Sequence, residues 1–134
     1  MSGAGIAGVH DLENGEKGTP PTNFIIPIYS NCIPHIDSFL DTGYTKEEMK
    51  TINETRKIMK RPDLKVTATT VRVPVFNCHS EAINIEFEND FEIKDIRNLL
   101  SSSPGIIVQD DISNNIYPTA HNVNGKDEVY VRKN

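Results

Sequence analysis

Apolar and polar positions follow two different rhythms along this chain. From Thr45 to Lys60, Met49, Ile52 and Met59 share one side of a 3.6-residue period. Lys50, Glu54, Lys57 and Arg61 form a polar stripe on another side, at steps of four, three and four. That spacing predicts a helix. Thr45 and Glu48 make its capping box, in which hydroxyl and carboxylate each satisfy an otherwise unpaired backbone N–H, and Pro62 ends it. Ile93, Ile96 and Leu100 mark a second helix that closes at a Ser run before Pro104 and Gly105. Elsewhere the period is two. In Ala82 to Glu88, Ile83, Ile85 and Phe87 face one way and Asn84 and Glu86 the other. Val66 to Phe76 is a Thr/Val-rich run expected to be covered on both faces and to pair with Ala82–Glu88 as an antiparallel hairpin. Asn23 to Ser30 predicts an edge or bulged strand, because Pro27 removes a ladder donor. Ile106 to Gln109 and Glu128 to Val131 predict short strands on either side of a turn-rich segment. The expected fold class is α+β: helices on one face of a mostly antiparallel or mixed sheet.

With 134 residues, 37% of them hydrophobic, the chain suits one globular domain over 23–134 behind a Gly/Pro-rich leader loop at 1–22. A net charge of −5 without a basic stripe argues against nucleic acid and anionic lipid as partners. No apolar run approaches the roughly 20 residues of a membrane span, so no membrane association is expected. No secretory signal is visible, and two cysteines, Cys32 and Cys78, suit reduced thiols in the cytoplasm better than a disulfide scaffold.

Four motif matches lack the setting their chemistry needs. Gly3-Ala4-Gly5-Ile6-Ala7-Gly8 fits the dinucleotide fingerprint, but only Met1 and Ser2 precede it, and no strand can be built from them. Asn53-Glu54-Thr55 is a glycosylation sequon inside a predicted helix. Cys32 and His35 have metal-ligand spacing, yet zinc needs three or four ligands, so no metal site is expected. Cys32 has only His35 nearby to activate it, which favours a small buried thiol over a nucleophile.

Three features are harder to set aside. Arg72 interrupts TATTVRVPVF, where a covered guanidinium needs a partner or a bound carboxylate. His79 follows seven residues later, where the strand pattern breaks, with a side chain suited to acid/base work near neutrality. Glu54 and Lys57 lie three apart on one helical stripe, which by spacing alone suits a solvated face.

Val71 to Phe87, VRVPVFNCHSEAINIEF, resembles the signature around the catalytic histidine of aspartate-semialdehyde dehydrogenases, with the spacing R-x-P-V-x-x-x-H-S. SGAGIAG, NFIIPIYSNCIPHID, GYTKEEMKTINETRKIM and DDISNNIYPTAHNVNGKDEVYV resemble further family segments in order, so nearly the whole chain is covered. The resemblance implies a fold like the C-terminal domain of glyceraldehyde-3-phosphate-dehydrogenase-like enzymes. It also implies a part in the NADPH-dependent reduction of β-aspartyl phosphate to aspartate semialdehyde, on the route to lysine, methionine and threonine. Arg72 would bind the substrate α-carboxylate. His79 would act as general acid/base toward a cysteine nucleophile during its thioacyl and thiohemiacetal steps. Glu54 would contact the substrate amine and Lys57 the phosphate.

The family's Rossmann domain and its Asn-Cys-Ser/Thr nucleophile have no counterpart here; Asn31-Cys32-Ile33 is not that motif. The chain is therefore expected to be the substrate-binding and dimerisation domain alone, truncated at both ends. By itself it should be inactive and bind no NADP, and it should form a homodimer. A non-catalytic self-association module is the competing reading. The N-acetyl-glutamyl-phosphate reductases rank lower, because their acetylated amine makes a carboxylate at Glu54 unexpected. Arg72 and His79 are an odd number of residues apart, so a shared pocket requires the alternation to break between Pro74 and His79.

Overall fold

A computed structural model describes residues 11, 13, 15, 17 and 24–132. The fingerprint-like glycines at 3–8 lie outside them, as does most of the expected leader loop. The chain divides into two compact units, Met1–His79 and Ser80–Asn134.

The first unit is organised around helix α1, Lys46–Ile58. Its N-cap is Thr45, and both capping-box bonds form. The Thr45 hydroxyl accepts the Glu48 N–H at 3.2 Å, and the Glu48 carboxylate accepts the Thr45 N–H at 2.9 Å. The helix stops before Pro62 is reached. Lys60 adopts a left-handed φ of 53°, while Lys60 N–H donates to the Lys57 carbonyl and Arg61 N–H to the Arg56 carbonyl. This double closure satisfies carbonyls that the helix end would leave unpaired. Of the expected apolar side, Ile52 is buried and Met49 half-buried, whereas Met59 is exposed.

Asn23–Ser30 is not a strand over its described residues. Phe24–Ile26 bend, and the Asn31 N–H and side-chain amide close a turn onto the Ile28 and Pro27 carbonyls. Pro27 cannot donate to a ladder, and Ser30 takes a φ of 52°. The turn drives Ile28 to full burial against Ile33, with Phe24 packed on both. Asp11, inside the expected leader, is itself buried, and its carboxylate accepts the Phe24 N–H at 3.1 Å.

In the second unit, α2 spans Ile93–Ser102, and β1 (Ile106–Val108) pairs with β2 (Val129–Val131). The pairing is parallel, in register Ile106↔Val129, Ile107↔Tyr130 and Val108↔Val131. Parallel neighbours need a long crossover. Residues 109–128 supply one, through a 3-10 turn at Ile112–Asn114 and a short helix α3 at Ala120–Val123. Arg97 and Arg132 converge on the buried carboxylate of Asp110 directly after β1.

The mostly antiparallel or mixed sheet is therefore corrected: the sheet is two-stranded and parallel. Among the described residues the antiparallel pairs are isolated bridges, Ile33↔Arg72, Phe39↔Thr45 and Asp111↔Ile116. The expected hairpin does not form, since Val66–Phe76 and Ala82–Glu88 share no ladder among the described residues. The physical reason is that alternation specifies an extended chain with two faces, not what pairs with its edge. In Ala82–Glu88 the apolar face stays open, with Ile83 72% and Ile85 59% exposed.

Candidate functional site

Arg72 is built into the first unit from below. Its N–H donates to the Ile33 carbonyl at 2.9 Å and its carbonyl accepts the Ile33 N–H at 3.0 Å, which ties it to the buried Ile28–Ile33 pair. Its guanidinium lies over the Phe24 ring, 5.4 Å from the centroid. The side chain is thus half-buried and stacked on an aromatic face, with no carboxylate paired to it among the described residues. A stacked guanidinium with its fork unclaimed is suited to accept a planar anion.

Downstream the chain loses its alternation, as a pocket shared by Arg72 and His79 would require. Val75 N–H turns back to the Val73 carbonyl across Pro74, residues 76 and 77 bend, and Cys78 takes a φ of 74°. A left-handed residue in an extended run redirects the side chains that follow it. His79 comes next and is exposed.

Helix α1 carries the remaining candidates. Glu54 and Lys57 are both exposed, and among the described residues no hydrogen bond or ion pair joins any two of Arg72, His79, Glu54 and Lys57. Neighbouring Arg56 is engaged elsewhere, donating Nε to the Leu64 carbonyl at 2.9 Å. The acid/base pair that the helix does hold together is Glu47 with Lys50, at 3.3 Å. The polar stripe extends back by one more step of three to reach Glu47, and that periodicity could have revealed it.

The first turn of α1 is also the part that meets the Arg72 segment. Glu48 accepts the Thr70 N–H at 3.0 Å, and the Tyr44 and Thr67 hydroxyls bond at 3.2 Å. Glu54 lies seven residues beyond Glu47, about 10 Å farther along the axis at 1.5 Å per residue.

Two backbone donors, from Thr45 first and Thr70 second, hold the Glu48 carboxyl below the ordinary glutamate range against the opposing effect of burial. A depressed carboxyl contributes stability above its unfolded pKa of about 4.3, and loses it as pH falls through the lower folded value. In denaturant unfolding between about pH 6 and about pH 3, the stability gap between the wild type and Glu48→Gln is therefore expected to narrow with acid. A gap that does not change with pH contradicts this titration.

Among the described residues no group of three His, Cys, Asp or Glu side chains could hold a metal ion. Cys32 is exposed, and His35 packs on Phe39 with ring centroids 4.6 Å apart. The N-terminus of α1 is already filled by the Thr45 hydroxyl and an ionised Glu48, which repels a pyrophosphate. No described helix is long and apolar enough to cross a membrane.

Comparison with known proteins gives one family. The family model described as semialdehyde dehydrogenase, dimerisation domain, matches residues 1–133. The aspartate-semialdehyde dehydrogenase of Aquifex aeolicus is 44% identical over 138 residues, taking in 98% of this chain and 41% of that protein. The crystal structure of aspartate semialdehyde dehydrogenase II from Vibrio cholerae aligns with a TM-score of 0.79 at 33% identity, over 95% of this chain and 39% of that one. The same enzyme complexed with ASA aligns at 0.76 and 32% identity, over 91% and 36% of the two chains. The chain thus spans about two fifths of the length of these relatives. Matched along nearly its whole length in sequence and in fold, the chain belongs to the semialdehyde dehydrogenase family, as its dimerisation domain.

Proposed function

We propose that this chain is the substrate-binding and dimerisation part of a cytoplasmic aspartate-semialdehyde dehydrogenase. In its complete form the enzyme reduces β-aspartyl phosphate with NADPH to aspartate semialdehyde and phosphate. The observation that carries this reading is Arg72, stacked on Phe24 with its fork unclaimed, ahead of a chain reversal that redirects His79. NADPH supplies the hydride and, with the cysteine nucleophile, belongs to the rest of the protein; this segment alone is inactive. Arg72 holds the substrate α-carboxylate through its bidentate fork. His79 takes the proton of the attacking thiol and returns one as the acyl centre is reduced.

Glu54 and Lys57 are the expected contacts for the amine and the phosphate. The geometry favours a second assignment, Glu47 and Lys50, because they are already paired and lie on the turn that meets the Arg72 segment. In the complete enzyme, assayed as NADPH formation from aspartate semialdehyde, phosphate and NADP, Glu47→Gln is expected to raise KM for the semialdehyde about tenfold, the loss of one charge-assisted bond. Glu54→Gln should change it less than about twofold. The reverse ranking restores the Glu54–Lys57 assignment, and no turnover by the unaltered enzyme rejects the function.

A further inference from the structure

Glu48 uses both of its carboxylate oxygens on backbone donors from different parts of the chain. Oε2 accepts the Thr45 N–H, as a capping box requires. A helix cap needs nothing from Oε1, yet that oxygen accepts the N–H of Thr70, 22 residues away in sequence. Thr70 has no other tether from its side chain, whose hydroxyl is buried without a hydrogen-bond partner. Two residues on, the Arg72 backbone is bonded to that of Ile33. The segment that carries Arg72 is therefore held between two anchors, the Ile33 backbone and a single planar carboxylate fixed to the first turn of α1.

We propose that Glu48 is a positioning residue: by bridging Thr45 and Thr70 it sets the distance from Arg72 to the first turn of α1, and so tunes substrate affinity without touching substrate. It acts in this way only if Arg72 holds the substrate carboxylate, as proposed above. A glutamine at this position accepts one N–H with its oxygen but turns an NH2 toward the other, donor against donor. One anchor is then lost, and Arg72 rests on Ile33 alone. The bond to Thr70 is present whether or not substrate is bound, so its loss weakens ground state and transition state alike and acts on KM rather than kcat.

The test uses the complete enzyme carrying this segment. Glu48→Gln is expected to raise KM for aspartate semialdehyde about tenfold, with kcat within about twofold of wild type. Glu48→Asp keeps the charge but is one methylene too short to span both donors. It should raise KM similarly, and it carries the test if Glu48→Gln does not fold. Thr45→Ala removes the cap hydroxyl and leaves the Glu48–Thr70 bond. It should lower the thermal midpoint and leave KM unchanged, which separates positioning from helix capping. In an Arg72→Ala background, Glu48→Gln should add nothing further to KM, because both changes act through one group.

A KM for Glu48→Gln equal to that of Thr45→Ala overturns the positioning role. So does a Glu48 effect that multiplies undiminished onto Arg72→Ala. If Arg72→Ala raises KM and Glu48→Gln and Glu48→Asp do not, the bridge alone fails. An unchanged KM for Arg72→Ala sinks the Arg72 assignment, and the bridge with it.

Discussion

Replacing His79 with Ala in the complete enzyme is expected to lower kcat by about 10²–10⁴-fold, the usual contribution of a positioned general acid/base. KM for aspartate semialdehyde should move little, since the imidazole handles protons rather than the carboxylate or phosphate. The prediction is clean because His79 is exposed and anchors no part of the Ile28–Ile33 core, so its loss should leave the thermal midpoint in place. Steady-state kinetics and a thermal melt of the variant check both parts. A variant with wild-type kcat removes His79 from the chemistry.

The second large effect falls on binding. Arg72→Ala should raise KM about 10–150-fold, corresponding to about 1.5–3 kcal/mol for hydrogen bonds to a charged group. Arg72→Lys should recover only a minor part of it. A lysine keeps the charge but not the planar fork that grips both carboxylate oxygens and lies flat on an aromatic ring. The aromatic partner is already in place, with Phe24 beneath the guanidinium and its backbone N–H held by the Asp11 carboxylate. Full recovery by lysine points to a simple charge rather than bidentate recognition. A segment that serves only self-association predicts neither result, so an unchanged kcat in His79→Ala together with an unchanged KM in Arg72→Ala favours that reading. Such a role draws support from the open apolar face of Ile83, Ile85 and Phe87 and from the dimerisation-domain family.

Local rules wrote much of this molecule legibly. The Thr45–Glu48 pair announced the start of α1, and both of its bonds form, because a capping box involves groups only three residues apart. Strands β1 and β2 fall inside the runs that predicted them, and α2 follows the apolar spacing of Ile93, Ile96 and Leu100. The break between Pro74 and His79 was expected from the resemblance, which asks two residues an odd number apart to share a pocket, and Cys78 supplies a break with a left-handed φ. Strand pairing was not legible. Neither Val66–Phe76 nor Ala82–Glu88 forms a strand among the described residues, because each edge needs a partner that side-chain periodicity does not name. Residues 109–128 were read as turns, and so the parallel crossover they form was missed.

By itself, then, the sequence determined the two longer helices, the capped start of α1, the two short strands, the break before His79 and, through the spacing R-x-P-V-x-x-x-H-S, the family. These depend on residues a few positions apart, where backbone sterics and hydrogen bonding leave few choices. Tertiary structure alone decided that Arg72 stacks on Phe24, that Glu48 reaches Thr70, and that β1 and β2 run parallel. Arg72's stacking, Glu48's reach and the β1–β2 pairing join segments far apart in sequence. No period along the chain encodes which distant group arrives to complete a contact, because that is settled by packing within each unit, as where Ile28 is buried against Ile33 in the first.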